Sequence, residues 1–348
     1  MEKPSNSIDW DHVGKWVGKT GTRANWRPYG LPEVLNPKRS AFADIPPMPA
    51  WKLSDKLFIT AAITGAFFSK NANPHQPITP TEIRNAAAEC IEAGASGVHI
   101  HVRDRNGLNA LDPKLFHEVI APLREVYPEA VIDGCLVAVS EEEDAAMQPM
   151  MRSGLLDGLP VNPTAICCGD NMLFKAPHVV IEKTRRTLDA GLIPQIAVYT
   201  DGDVDNARRF LVDTLLIPRP CSWLILPALP GCTPMHSPEA MADGLLRMVR
   251  LIREVDPKGI IAVCAAGRAS TYLATMAVLM GLHVRVGMED TIWKWPHREE
   301  TLSSSAEHFR SVRDIALLLG REVMTPGEYR ELLGLRQKTR PSAAAIGA

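Results

Sequence analysis

From Leu57 onward, short apolar runs rich in Val and Ile alternate with longer stretches in which apolar residues return every three or four positions. The first pattern predicts buried strands; the second predicts helices with one covered face. In chain order the pairs read LFITAAIT with TPTEIRNAAAECIEAG, GVHIHV with PKLFHEVIAPLREVY, and AVIDGCLVAV with SEEEDAAMQPMMRSG. A weaker strand near LDGLPVNPTAI precedes HVVIEKTRRTLDAG, and IPQIAVYT precedes VDNARRFLVDTLL. SWLILPAL leads to PEAMADGLLRMVRLIREV, GIIAVCAA to STYLATMAVLMG, and HVRVGM, after a loop, to AEHFRSVRDIALLLG. Eight strand–helix units in about 265 residues predict an α/β fold whose parallel sheet closes into a (β/α)8 TIM barrel.

Helix starts support the reading. Thr79, Pro80 and Glu82 fit a capping box with proline at the first helical position. The acidic run SEEED suits a helix N-terminus, where the dipole favours negative charge. TPGEYRELLGL repeats the Thr-Pro-x-Glu start and is expected to end near Gly334.

Residues 1–51 lack either period and form an N-terminal extension to the barrel of residues 52–340. The segment holds four of the seven tryptophans, Trp10, Trp16, Trp26 and Trp51, and many prolines. An extended arm anchored by tryptophans is the plain expectation; an arm that covers substrate or clasps a second subunit is the sharper one.

Composition narrows the class. The 348 residues are 46% hydrophobic and 22% charged, enough to bury a large core. Lys and Arg number 38 and Asp and Glu 40, a net charge of −2, so no basic surplus points to nucleic acid or a membrane surface. No run of about 18 apolar residues predicts a membrane span, and the first residues lack a signal-peptide core. Seven cysteines without a C-x-x-C pair suggest free thiols in a reducing, cytoplasmic compartment.

Two histidines interrupt the second apolar run. In a strand from Val98 to Val102, His99 and His101 share one face while Val98, Ile100 and Val102 share the other. The imidazoles then point into the barrel near its catalytic, C-terminal rim. They suit either a metal site or a hydrogen-bonded structural pair, since buried unpaired imidazoles are costly. For a metal, a third ligand is needed, and Glu289, just after the eighth strand, is placed to supply it; a surface-loop acid is the alternative. Asp290 and Arg285 bring opposite charges to the same rim. His236 and His297 fall on loops that could line a pocket, whereas His117, His178 and His308 fall on helices.

FITAAITGA, ITPTEI, AGASGVHIHVRD, GLHVRVGMED and REVMTPGEYRELLGL, in this order, resemble the β-keto acid cleavage enzyme family over residues 56–335. The resemblance implies a tetrameric (β/α)8 enzyme with a divalent metal, normally zinc. Such an enzyme condenses a β-keto acid with acetyl-CoA to give acetoacetate and a new acyl-CoA. It implies His99, His101 and Glu289 as metal ligands, with Arg285 and Asp290 assisting substrate deprotonation. Departures from the family pattern are local. Phe67 stands where the family usually has a glutamate that meets an amino-bearing substrate, so an uncharged or aromatic tail is expected. DGCLVAVS, LPVNPTAICCGDN and GRAS replace segments rich in hydroxyls, glycine or a Gly-Arg-x-Gln run. Two other readings stay open: a zinc-dependent C–C lyase or hydrolase working without CoA, and a non-catalytic barrel that binds a metal or metabolite.

Overall fold

The computed structural model describes residues 9, 11–15, 51–138, 140–168, 171–227, 237–264 and 266–336. Trp10, Trp16, Trp26, His236 and the end of the expected barrel at 337–340 lie outside them. The chain divides into two units, Met1–Lys52 and Leu53–Ala348. In the first, residues 11–15 are helical, and Asp9 Oδ1 accepts from the His12 N–H at 3.0 Å. Trp51 is exposed.

In the second unit, strand and helix alternate as β1 (Ile59–Ala62), α1 (Pro80–Glu92), β2 (Gly97–Ile100), α2 (Pro113–Val126), β3 (Val131–Gly134) and α3 (Glu141–Met151). The order continues with β4 (Gly158–Val161), α4 (Pro177–Asp189), β5 (Ile193–Val198), α5 (Asp201–Ala207), β6 (Ser222–Ile225) and α6 (Pro238–Val255). It ends with β7 (Ile260–Cys264), α7 (Ser270–Leu279), β8 (His283–Val286), α8 (Ser305–Leu318) and α9 (Pro326–Leu332). The eight strands are parallel and pair in chain order, and β8 returns to β1 with Arg285 opposite Thr60 to close the barrel. Among the described residues, no helix is long and apolar enough to cross a membrane.

Alternation along each strand divides the core in two. Val98, Ile100, Val161 and Val263 face outward into the layer beneath the helices, while Val131, Ala197, Leu224 and Ala262 fill the barrel interior. The expected capping boxes form at Thr79–Glu82 and Thr325–Glu328, each reciprocal.

Three features depart from the sequence reading. β2 stops at Ile100, so His101 lies just past its end, and Val102–Arg103 instead pairs antiparallel with Asn109–Ala110. A second hairpin, Ala165–Cys168 with Asn171–Phe174, rises after β4. The expected single helix after β5 turns π-helical over Arg208–Val212. Pieces of two to five residues are too short to show a period.

The N-terminal end of the barrel is plugged. Tyr329 of α9 stacks on Phe58 at 4.1 Å, and Phe58 stacks on His283 at 4.0 Å. Buried Asp157, just before β4, binds α9 through Arg330 Nη2 at 3.0 Å, pairs with Arg124, and accepts from the Ile132 N–H at 3.0 Å. Burial alone would raise the Asp157 pKa, but Arg124 and Arg330 bring it below the usual value. Its stabilising effect is therefore complete above the unfolded carboxylate pKa of about 3.9 and fades only as pH falls through the lower folded value. Asp157→Ala, which strands two arginines, should cost about 3–5 kcal/mol at pH 7, and urea unfolding would measure it. A loss within error would show that the Asp157 contacts do not hold α9 in place.

Candidate active site

The site begins with hydrogen bonds that aim two imidazoles. His99 Nδ1 lies 2.8 Å from Oδ1 of Asp133, its register partner on β3. His101 Nδ1 lies 2.8 Å from Oδ1 of Asn109, on the short hairpin. With an oxygen acceptor at each Nδ1, that nitrogen carries the proton and Nε2 presents its lone pair in the neutral ring. The two Nε2 atoms face the same oxygen, Glu289 Oε1, at 3.4 and 3.3 Å. The other carboxylate oxygen, Oε2, is buried without a hydrogen-bond partner among the described residues.

These distances suit a metal. Ligand atoms about 2.0–2.2 Å from a tetrahedral ion stand roughly 3.3–3.5 Å from one another. Cys135, two residues beyond Asp133, joins the cluster: its Sγ and one nitrogen of each histidine lie within 4.8 Å of one another. Among the protein's own charges, burial would drive both imidazoles toward neutrality. Glu289 and Asp133 instead raise the His99 pKa, and Cys135 and Glu289 raise that of His101 to about 10. Burial would raise Cys135, yet the histidines bring it down to about 5. A divalent cation at the two imidazoles could take the place of the positive charge that protons would otherwise bring to these anions. Two nitrogens, a carboxylate and an adjacent thiol fit such an ion.

Beside this cluster, Arg285 on β8 binds Asp290 twice, Nη2 to Oδ1 at 2.6 Å and Nε to Oδ2 at 3.2 Å, and reaches Glu289 Oε1 at 3.2 Å. All three are buried. The Asp290 pKa is raised, because burial outweighs the favourable charge of Arg285. A carboxylate shifted in this direction binds a proton more readily than an ordinary aspartate.

Two glycines let the Glu289 loop sit against β1. Gly287 has φ +138°, and a Cβ there would lie 2.0 Å from the Ala62 carbonyl oxygen; at Gly65, φ +56°, it would lie 2.4 Å from Glu289 Cγ. Arg103 braces the segment after β1 by donating to the carbonyls of Thr64 at 2.9 Å and Phe68 at 3.0 Å.

A cavity of about 210 Å³ brings together His99, His101, Arg285, Glu289, Asp290 and Phe67. Phe67, 61% exposed, stands at its edge. His297 is exposed and outside the lining, and His117 is an exposed helix residue. His178 lines a neighbouring cavity. His308 is buried on α8, where its Nδ1 accepts from the Gly287 N–H at 3.2 Å and so holds the Glu289 turn. The sequence reading missed Cys135, Asp133 and Asn109. A lone aspartate inside the apolar third run was a usable signal for Asp133; Asn109 carried none.

Either His99→Ala or His101→Ala should strip bound divalent metal, as read by elemental analysis of the purified protein. Gly65→Ala should push Glu289 aside and weaken metal binding about 10–100-fold in a chelator competition. Unchanged affinity would separate Glu289 from the metal.

The family profile described as beta-keto acid cleavage enzyme matches residues 56–335. The chain is 30% identical over 287 residues to the 3-keto-5-aminohexanoate cleavage enzyme of Acetoanaerobium sticklandii, covering 81% of this chain and 99% of that protein. It is 26% identical over 308 residues to the 3-dehydrocarnitine:acetyl-CoA trimethylamine transferase of Rhizobium meliloti, covering 82% and 99%. Among solved structures, the apo form of ObcA shares the fold with a TM-score of 0.65 at 18% identity, over 75% of this chain and 66% of that one.

Proposed function

Because the chain belongs to the beta-keto acid cleavage enzyme family, we propose that it condenses a β-keto acid with acetyl-CoA, yielding acetoacetate and a new acyl-CoA. The observation that carries this reading is the meeting of His99, His101 and Glu289 with the Arg285–Asp290 pair in one buried cavity. Relatives named as acetyl-CoA transferases support the co-substrate.

His99, His101 and Glu289 would hold a divalent ion, zinc by the nitrogen-rich donor set with a thiol beside it. When bound, the ion supplies Lewis acidity toward the keto acid's oxygens. Asp290 takes the proton from the carbon between the two carbonyls. Arg285 steadies the enolate charge in a site that excludes bulk water. The enolate carbon forms a bond to the acetyl carbonyl as the thioester C–S bond breaks. The released CoA thiolate then adds to the original keto carbon, and the bond between that carbon and the former enolate carbon breaks. Acetoacetate leaves after its carbanion recovers a proton from Asp290, and the remainder leaves as acyl-CoA.

Phe67 and the apolar side chains of Val137, Leu173 and Leu226 in the lining favour an uncharged or aromatic substrate tail. Free thiols at Cys90, Cys135, Cys221 and Cys264 favour a reducing, cytoplasmic setting, and the family resemblance favours a homotetramer.

Mass spectrometry on a panel of β-keto acids, with and without acetyl-CoA, tests the reading. Acetoacetate is expected only when acetyl-CoA is present; cleavage without it would identify a CoA-independent lyase instead. Asp290→Asn should lower turnover about 10²–10⁴-fold with metal content unchanged, and a smaller loss would remove Asp290 as the base. Phe67→Glu should shift preference toward amine-bearing keto acids, and no shift would place the tail elsewhere.

A further inference from the structure

A second cavity, of about 480 Å³, adjoins the site. It lies among the segments that follow β3 and β4 and the helices α3 and α4, and Asn162 lines both cavities. Its charges are unevenly matched. Arg186 pairs with Asp144 and, at 2.7 Å, with Glu182. Lys183 instead donates to the Leu136 carbonyl at 2.8 Å, and Lys175 donates to the Ala138 carbonyl. Among the described residues, neither ammonium has a carboxylate within ion-pair distance.

Both lysines are half-buried. Burial lowers the pKa of Lys175 and brings that of Lys183 down to about 8, which still leaves it mostly charged at neutral pH. Both also feel Asp144 and Cys135, and Lys175 feels Glu143, without contact; two cations whose hydrogen-bond partners here are neutral carbonyls keep a desolvation cost that a bound anion would offset.

The junction of the two cavities adds an independent observation. Asn162 is 5% exposed. Its Nδ2 donates to the Tyr199 hydroxyl at 3.1 Å, while its Oδ1 has no hydrogen-bond partner among the described residues. A buried acceptor left open between two cavities suits a ligand N–H passing from one to the other. Phe174, on the hairpin that follows Asn162 and 65% exposed, offers an aromatic face to the same cavity.

We propose that this cavity binds the coenzyme A portion of acetyl-CoA, with Lys175 and Lys183 pairing its phosphates, Phe174 stacking on the adenine, and Asn162 accepting from a pantetheine amide. The proposal rests on the acetyl-CoA reading given above and adds where that co-substrate lies. Phosphates, a flat base and an amide-bearing arm are the three chemistries that the cations, the exposed ring and the open acceptor each answer. The thioester would then enter the site cavity past Asn162, toward Asp290 and Arg285.

The same cations could instead hold the keto acid's carboxylate, so the test uses both substrates. Calorimetry on the metal-loaded full chain would compare CoA with pantetheine, which lacks the nucleotide and phosphates. Steady-state kinetics would give KM for acetyl-CoA and for the keto acid separately. Lys175→Met combined with Lys183→Met should weaken CoA binding about tenfold or more and raise KM for acetyl-CoA in parallel. Pantetheine binding and the keto acid KM should stay within about twofold, which general damage to the fold would not spare. Phe174→Ala, a change at an exposed side chain, should weaken CoA about tenfold and leave pantetheine alone; it serves if the double variant does not fold.

Undiminished CoA binding in the lysine and phenylalanine variants would overturn the assignment while leaving the acetyl-CoA reading intact. A rise in the keto acid KM instead would assign the lysines to the substrate carboxylate. If the unaltered protein binds no CoA, the acetyl-CoA reading itself fails, and this site with it.

Discussion

Burying the side chains of His99, His101, Arg285, Glu289 and Asp290 side by side is tolerable because opposite charges meet there at contact distance. A carboxylate or guanidinium left alone in such a place would cost several kcal/mol. Glu289 answers both imidazoles and touches Arg285, and Arg285 answers Asp290 with a two-point contact. The surrounding structure serves this arrangement. The glycines at 65 and 287 admit the Glu289 loop, His308 and Arg103 brace the backbone on either side, and Asp133 and Asn109 turn the imidazoles inward.

Barrel closure makes the arrangement possible. β8 pairs with β1 and β1 with β2, so side chains nearly two hundred residues apart in sequence emerge at one rim. The opposite end is settled separately, by the Tyr329–Phe58–His283 stack and by Asp157 holding Arg124 and Arg330. Stability is concentrated at one end of the barrel and reactive charge at the other. In a barrel such a division lets rim loops vary while the scaffold stays the same.

The barrel was legible because its strands and helices carry distinct periods over lengths that repay counting. His99 and Glu289 were legible for related reasons: one alternates inward in an apolar strand, and the other directly follows the last strand. His101 was found through a strand that ends one residue too soon. It reaches the cluster from the segment beyond Ile100, and Asn109 fixes it from a hairpin too short to leave a pattern. Cys135 went unread because its neighbours are set by the position of β3 beside β2, and strand register is not written in local sequence. Lys175 and Lys183 look like ordinary helix and hairpin lysines until the partners available to each are known.

Cys135 gives the site a chemical temperament that its acids and imidazoles do not. The two histidines beside it lower its pKa against the pull of burial, which favours the thiolate, the form that oxidants and alkylating reagents attack. The same sulfur, ligated or shielded by a cation on the imidazole pair, is a much poorer nucleophile. A cation that filled the imidazole pair would therefore also cover this thiol, so the sulfur's reactivity would report how fully the site is occupied.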